Sequence, residues 1–141
     1  MADKIQLDLV TPVRQVISDE FDSVSASSVE GEFGVLPGHA PLLTLLKAGV
    51  VIAKRKDKPT PIAIYSGFAE VEPGRVIILT EKAAMTDEVE VKEVKKRLEE
   101  TEEKLKENKD AIDSVEFRTL TDRKAWLQAQ LDILDITEIK D

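Results

Sequence analysis

Apolar residues in the first part of the chain recur with a period of two. Ile5, Leu7 and Leu9 alternate with Gln6 and Asp8, which predicts a strand over 5–9. Similar runs follow over 13–17, 22–29, 49–54, 61–67, 68–72 and 75–80. A charged turn, "RKDKP", separates two of them, and Pro73-Gly74 separates another pair, proline presetting φ and glycine supplying φ > 0. Val76, Ile77, Ile78 and Leu79 are continuously apolar, which predicts a strand covered on both faces. No helical pattern interrupts the strands, so a parallel α/β sheet is not expected. Short strands with turns at this spacing predict a β-sandwich or flattened barrel.

Near Thr86 the period changes. Beyond it there is no glycine and no proline, and charges of both signs crowd in. Val91, Val94, Leu98 and Leu105 fall at heptad spacing with Thr101 in the gap; Phe117, Leu120, Leu127, Leu131 and Leu134 form a second stripe, interrupted by Lys124. Asp87 to Glu90 and Asp113 to Glu116 each resemble a capping box. Glu88–Lys92 and Glu100–Lys104 are i,i+4 pairs. Two helices joined by the short polar stretch "KENKDAID" predict an antiparallel αα-hairpin, with one long coiled coil as the alternative. The expected class is mainly β plus α: a sandwich domain over 1–86 and a helical hairpin domain over 87–141.

Composition narrows the function. The chain of 141 residues carries a net charge of -8, which argues against nucleic acid and anionic membrane surfaces as partners. There is no cysteine, hence no thiolate chemistry and no Cys-ligated metal. No signal-peptide pattern opens the sequence, and no apolar run reaches the roughly 20 residues of a membrane helix.

Catalytic patterns are poor. His39 is the single histidine, so any Ser–His–acid set would need it; Ser66 is a conceivable nucleophile, but no motif asks for it. Glu30 and Glu32 could share one face as a glycosidase-like pair or stand as solvated carboxylates. Phosphate-binding glycine loops and calcium loops are absent. No catalytic, metal or cofactor-binding residue is expected.

The stretch "SSVEGEFGVLPGHAPLLTLL", 27–46, is the most punctuated segment. Gly31, Gly34 and Gly38 permit tight turns, and Pro37 and Pro41 stiffen them. Val35, Leu36, Leu42, Leu43 and Leu45 are expected to anchor it in a core. Glu30, Glu32 and His39 would then lie on one rigid edge, a form suited to a protein contact.

"EGEFGVLPGHAPLLTLLKAGVV", "YSGFAEVEPGRVIILTEKA" and the two charged helices, in that order, resemble the epsilon subunit of the F-type ATP synthase, counterpart of the mitochondrial delta subunit. The Gly-x-x-Pro-Gly-His-x-Pro core and the Gly-Phe-x-Glu-Val of 67–71 carry the likeness, which covers essentially the whole chain.

The resemblance implies a non-catalytic rotor subunit of the central stalk. Its partners would be the gamma subunit and the c-ring of the membrane sector, with the Glu30-to-His39 loop facing the ring. Its hairpin would inhibit ATP hydrolysis by extending into the catalytic alpha/beta head, with Arg118, Arg123 and Lys124 as candidate contacts for acidic segments there. It would sit peripherally on the cytoplasmic face of a bacterial inner membrane, without a lipid anchor, and would be monomeric when isolated.

Some members of that family bind ATP through an Ile/Leu-Asp-x-x-Arg-Ala motif in the hairpin. The stretch Ile112 to Phe117 carries Glu116 in place of the arginine, so no ATP cofactor is expected. The two helical stripes offer about nine apolar side chains. At roughly 1.5 kcal/mol each, opening the hairpin into water would cost on the order of 10 kcal/mol, so the free chain should stay folded. A free-standing β-sandwich module with a dimerising helical tail is the competing reading.

Overall fold

The computed structural model describes residues 3–139, apart from the side chains at 110 and 137–139. The outermost two residues at each end of the expected domains, 1–2 and 140–141, lie outside the described residues. Ten strands come first: β1 Ile5–Val10, β2 Gln15–Phe21, β3 Ser23–Ser28, β4 Gly31–Val35, β5 Leu42–Leu46, β6 Gly49–Arg55, β7 Lys58–Ile64, β8 Gly67–Glu72, β9 Arg75–Thr80 and β10 Ala83–Ala84. A 3-10 turn at Thr86–Glu88 leads into helix α1, Val91–Glu107, and helix α2 spans Val115–Ile139.

The strands form a near-closed sandwich in the order β10-β7-β6-β3-β5-β8-β9-β1-β2, with β4 paired on β3. All pairings are antiparallel except β1 with β9, which is parallel. At one border the Arg55 guanidinium donates to the Glu20 carbonyl at 3.0 and 2.9 Å, tying β6 to β2. Period-two alternation points Ile5, Leu7, Leu9, Val24, Val51, Ile62, Ile64, Val71, Val76 and Ile78 into one shared core, all essentially inaccessible. The Pro73-Gly74 turn joins β8 to β9, but Gly74 does not take the positive φ expected of it. Lys56 and Asp57 both have positive φ, a turn geometry that matches the right-handed twist of β6 and β7.

The αα-hairpin forms, and Lys124 lies 3.7 Å from Glu102 across it. Thr101 fills the gap in the α1 stripe, buried, with its hydroxyl donating to the Arg97 carbonyl at 2.8 Å. Both helix starts are shifted from expectation. The first box caps the 3-10 turn rather than α1: Glu88 accepts from the Met85 N–H at 2.9 Å, while α1 begins after Glu90 with no side-chain cap. Ser114, not Asp113, caps α2, its oxygen accepting from the Phe117 N–H at 3.0 Å.

Helix α2 carries a second apolar stripe not read in the sequence. Leu120 and Leu127 lie on the expected one, while Ala129 and Ile133, with half-buried Trp126, pack against Ala63 and Val50 of the sandwich. The hairpin therefore docks on β6 and β7 through α2, and α1 packs chiefly on α2.

Candidate functional site

The segment 27–46 departs most from expectation. It contains two strands, β4 and β5, where a loop anchored by leucines was expected. Of the proposed anchors only Val35 is buried; Leu36, Leu42, Leu43 and Leu45 are exposed, and Leu46 is the residue that enters the core. The cause is strand periodicity. "LLTLL" is apolar on both faces, and β5 can point only alternate residues inward.

Leu79 overturns a second expectation. The run in β9 is not covered on both faces: Val76 and Ile78 are buried, but Leu79 is 52% exposed. The two departures meet on one surface. Leu45 pairs with Phe68, Phe68 with Leu79, and Leu79 with Val10, so register places four apolar residues in one row across β5, β8, β9 and β1. Leu45 and Phe68 are 48% and 50% exposed. A groove of about 720 Å³ lies over the row, lined by all four of its residues together with Pro12 and Val29. Scattered exposed apolar residues are ordinary, but a contiguous row of this kind marks a docking surface.

The next row along the same strands is more polar: Leu43, Glu70, Ile77, Asp8 and Ser18. Asp8 accepts from the Ser18 hydroxyl at 2.7 Å, from Gln6 Nε2 at 3.1 Å, and from the Arg75 guanidinium at 2.8 and 3.1 Å. The Ser18 bond foremost, then those from Gln6 and Arg75, hold its carboxyl below the usual aspartate value against an opposing effect of burial. Asp8 is thus a fixed charge bordering an apolar row, the arrangement of a polar rim.

The contact residues expected on one edge are divided between the two ends of β5. Glu30 lies in the β3–β4 turn, where Val29 N–H bonds the Leu45 carbonyl at 3.0 Å. His39 lies by the β8–β9 turn, since Gly38, at φ +86, donates to the Pro73 carbonyl at 2.6 Å. Leu42 to Leu46 separates these ends by about 13 Å of strand. Glu32, on β4, borders a separate cleft between the sandwich and α2, with Asp132 opposite. Ser66 sits at the Glu30 end, one strand length from His39, so a Ser–His pair is not assembled; His39 Nδ1 is 2.6 Å from the Ala40 carbonyl instead.

The three cations expected to act together also divide. Lys124 turns toward Glu102 and Phe117 at the hairpin tip. Arg123 shares a small cavity with Lys82, Arg97 and Lys104 around Thr101 and Glu100. Arg118 and Glu116 are exposed in the first turn of α2. Sequence spacing alone could not group Lys82 with residues of the helices, because the cluster spans three elements.

With this geometry established, comparisons with known proteins agree in kind. Residues 4–86 match the family model described as ATP synthase, Delta/Epsilon chain, beta-sandwich domain. The ATP synthase epsilon chain of Geotalea uraniireducens is 43% identical over 106 residues, 75% of this chain and 77% of that protein. That of Carboxydothermus hydrogenoformans is 42% identical over 105 residues, 74% of this chain and 78% of the other. A chain in the Euglena gracilis mitochondrial ATP synthase, solved as OSCP/F1/c-ring, superposes with a TM-score of 0.77 at 23% identity, covering 95% of this chain and 83% of that one. One in the Tetrahymena thermophila central stalk and c-ring gives 0.53 at 17% identity, covering 63% and 72%. These solved structures share the fold.

Proposed function

The chain belongs to the ATP synthase delta/epsilon family and is a non-catalytic stalk subunit of the rotary complex, and we propose that it couples the gamma subunit to the c-ring and brakes ATP hydrolysis through its hairpin. The row of Leu45, Phe68, Leu79 and Val10 carries the reading. A stalk subunit must hold a neighbour firmly while torque passes. An apolar row with fixed polar residues at its side suits that task, and gamma is its occupant.

The ends of the sandwich divide the remaining contacts. Glu30 faces the ring's polar loops, with Glu32 set back beside the α2 cleft, while His39, one strand length away, belongs to the border of the gamma contact. In this reading the subunit sits on the cytoplasmic face of a bacterial membrane, held there by its partners; among the described residues no helix is long and apolar enough to cross one. No ATP is held by the hairpin: Glu116 stands where the family motif has arginine, although Arg97, Arg123, Lys82 and Lys104 would favour an anion nearby.

The test is ATP hydrolysis by the catalytic head lacking this subunit, titrated with the full chain and with a chain ending at Thr86. Inhibition by the full chain alone, with binding by both, is the expected result. Binding by both without inhibition would remove the brake, and binding by neither would overturn the coupling role as well. Titration with labelled ATP checks the cofactor reading, with no saturable binding expected.

A further inference from the structure

The chain passes from sandwich to hairpin through one short segment. Met85 packs on the sandwich core, the turn Thr86–Glu88 follows, and Val89 packs with Ala63 and Ile133 beneath α2. Glu88 sits at the middle of this passage. One guanidinium nitrogen of Arg14 lies 2.9 Å from its Oε1 and 2.8 Å from its Oε2, and Oε1 also accepts from the Met85 N–H at 2.9 Å. Arg14 comes from the β1–β2 turn, 74 residues away in sequence. That turn is prebuilt: the Thr11 side-chain oxygen accepts from the Val13 and Arg14 N–H groups at 3.3 and 3.2 Å, and the Thr11 N–H donates to the Arg14 carbonyl at 2.9 Å.

We infer that Arg14 and Glu88 form a latch that holds the hinge of the helical hairpin and sets how often the hairpin leaves the sandwich. Among the described residues, this is the one ion pair that joins the segment beyond β10 to the sandwich. The largest other attachment among the described residues is the packing of α2 on β6 and β7, which resists separation but does not define where the chain bends. Glu88 defines it, because the same carboxylate caps the 3-10 turn and grips the β1–β2 turn.

The pair is partly exposed, with side-chain accessibilities of 44% and 36%, so its contribution is moderate and open to competition by a partner's charges. Pair and cap together hold the open form down by about five- to tenfold. This suits a release point better than a permanent lock. The inference rests on reading the hairpin as a movable part.

Thiol labelling of the full chain tests it, since the natural chain has no cysteine. Ala129→Cys places a thiol at the docked face of α2, and Ala53→Cys places one in the sandwich core; both alanines are at most 2% exposed. Adding Glu88→Ala is expected to speed labelling at position 129 by about five- to tenfold, and Arg14→Gln, which spares the cap, by about two- to fivefold, both leaving position 53 unchanged. The exchanged pair Arg14→Glu with Glu88→Arg should restore part of the protection. Unchanged labelling at 129, equal acceleration at 53, or no recovery on exchange would each overturn the latch. Hydrolysis assays with the same variants separate this from the brake: faster labelling with unaltered inhibition would keep the latch and refute release of the hairpin as the origin of the brake.

Discussion

Replacing Ile133 by alanine should loosen the hairpin while leaving the sandwich intact. Ile133 is fully buried between Ala129 and Ala63, with Val50, Val89 and Trp126 half-buried around it. Full burial of the isoleucine is worth about 2–3 kcal/mol, and each half-buried neighbour about 1 kcal/mol. With the two alanines, docking of α2 on the sheet amounts to about 6 kcal/mol as an upper value. This is less than the cost of opening both helical stripes, because a hairpin that swings as a unit keeps its helix–helix contacts. Ile133→Ala removes about 3 kcal/mol, roughly half, and should raise the undocked fraction by about 100-fold. Trp126, the single tryptophan, lies at this contact and reports on it by fluorescence. In urea the Trp126 transition should move to lower concentration, while the far-ultraviolet signal of the strands keeps its midpoint. Equal shifts in both signals would show that sandwich and hairpin melt as one unit and would refute the separate ledger for docking.

Four further outcomes follow from the geometry. Gly67→Ala should abolish or severely destabilise folding, by more than about 3 kcal/mol, because a Cβ there would lie 1.9 Å from the Leu79 carbonyl oxygen; thermal melting of the purified chain measures it. Asp8→Asn should cost about 1–2 kcal/mol at neutral pH. The Asp8 pKa is lowered on folding, so its stabilisation is complete above the ordinary aspartate value of about 4 and is lost as pH falls through the lower folded value; melting curves of both chains should converge under strong acid. Phe68→Asp with Leu79→Asp should weaken binding to gamma at least tenfold with little change in melting temperature, since both side chains are about half exposed; pull-down against isolated gamma reads this. Charge reversal at Arg118, Arg123 and Lys124 should weaken inhibition of ATP hydrolysis, chiefly through whichever side of α2 meets the catalytic head, and unaltered inhibition would remove these residues from the contact.

The period of apolar residues was enough to divide this chain into strands and helices and to locate the change near Thr86. Alternation is a local property: Ile5, Leu7 and Leu9 must share a face wherever the strand goes, and Val94 and Thr101 must share one on any helix. The family likeness was legible for a related reason, since the turns of "VLPGHAP" and "EVEPGR" are spelled by glycine and proline at fixed places. What alternation does not decide is whether a second apolar face is covered. "LLTLL" and "VIIL" read as buried, yet Leu43, Leu45 and Leu79 are left open because no further layer of the described residues lies over that side. Conversely, Trp126, Ala129 and Ile133 escaped notice because α2 serves two partners, and its apolar residues surround too much of the helix to form one clear stripe. The separation of Glu30 from His39, the grouping of Lys82 with Arg123, and the meeting of Arg14 with Glu88 belong to pairings between distant segments. Those pairings arise when the sheet closes on itself and the hairpin settles on it, and that long-range register is what only the tertiary structure decided.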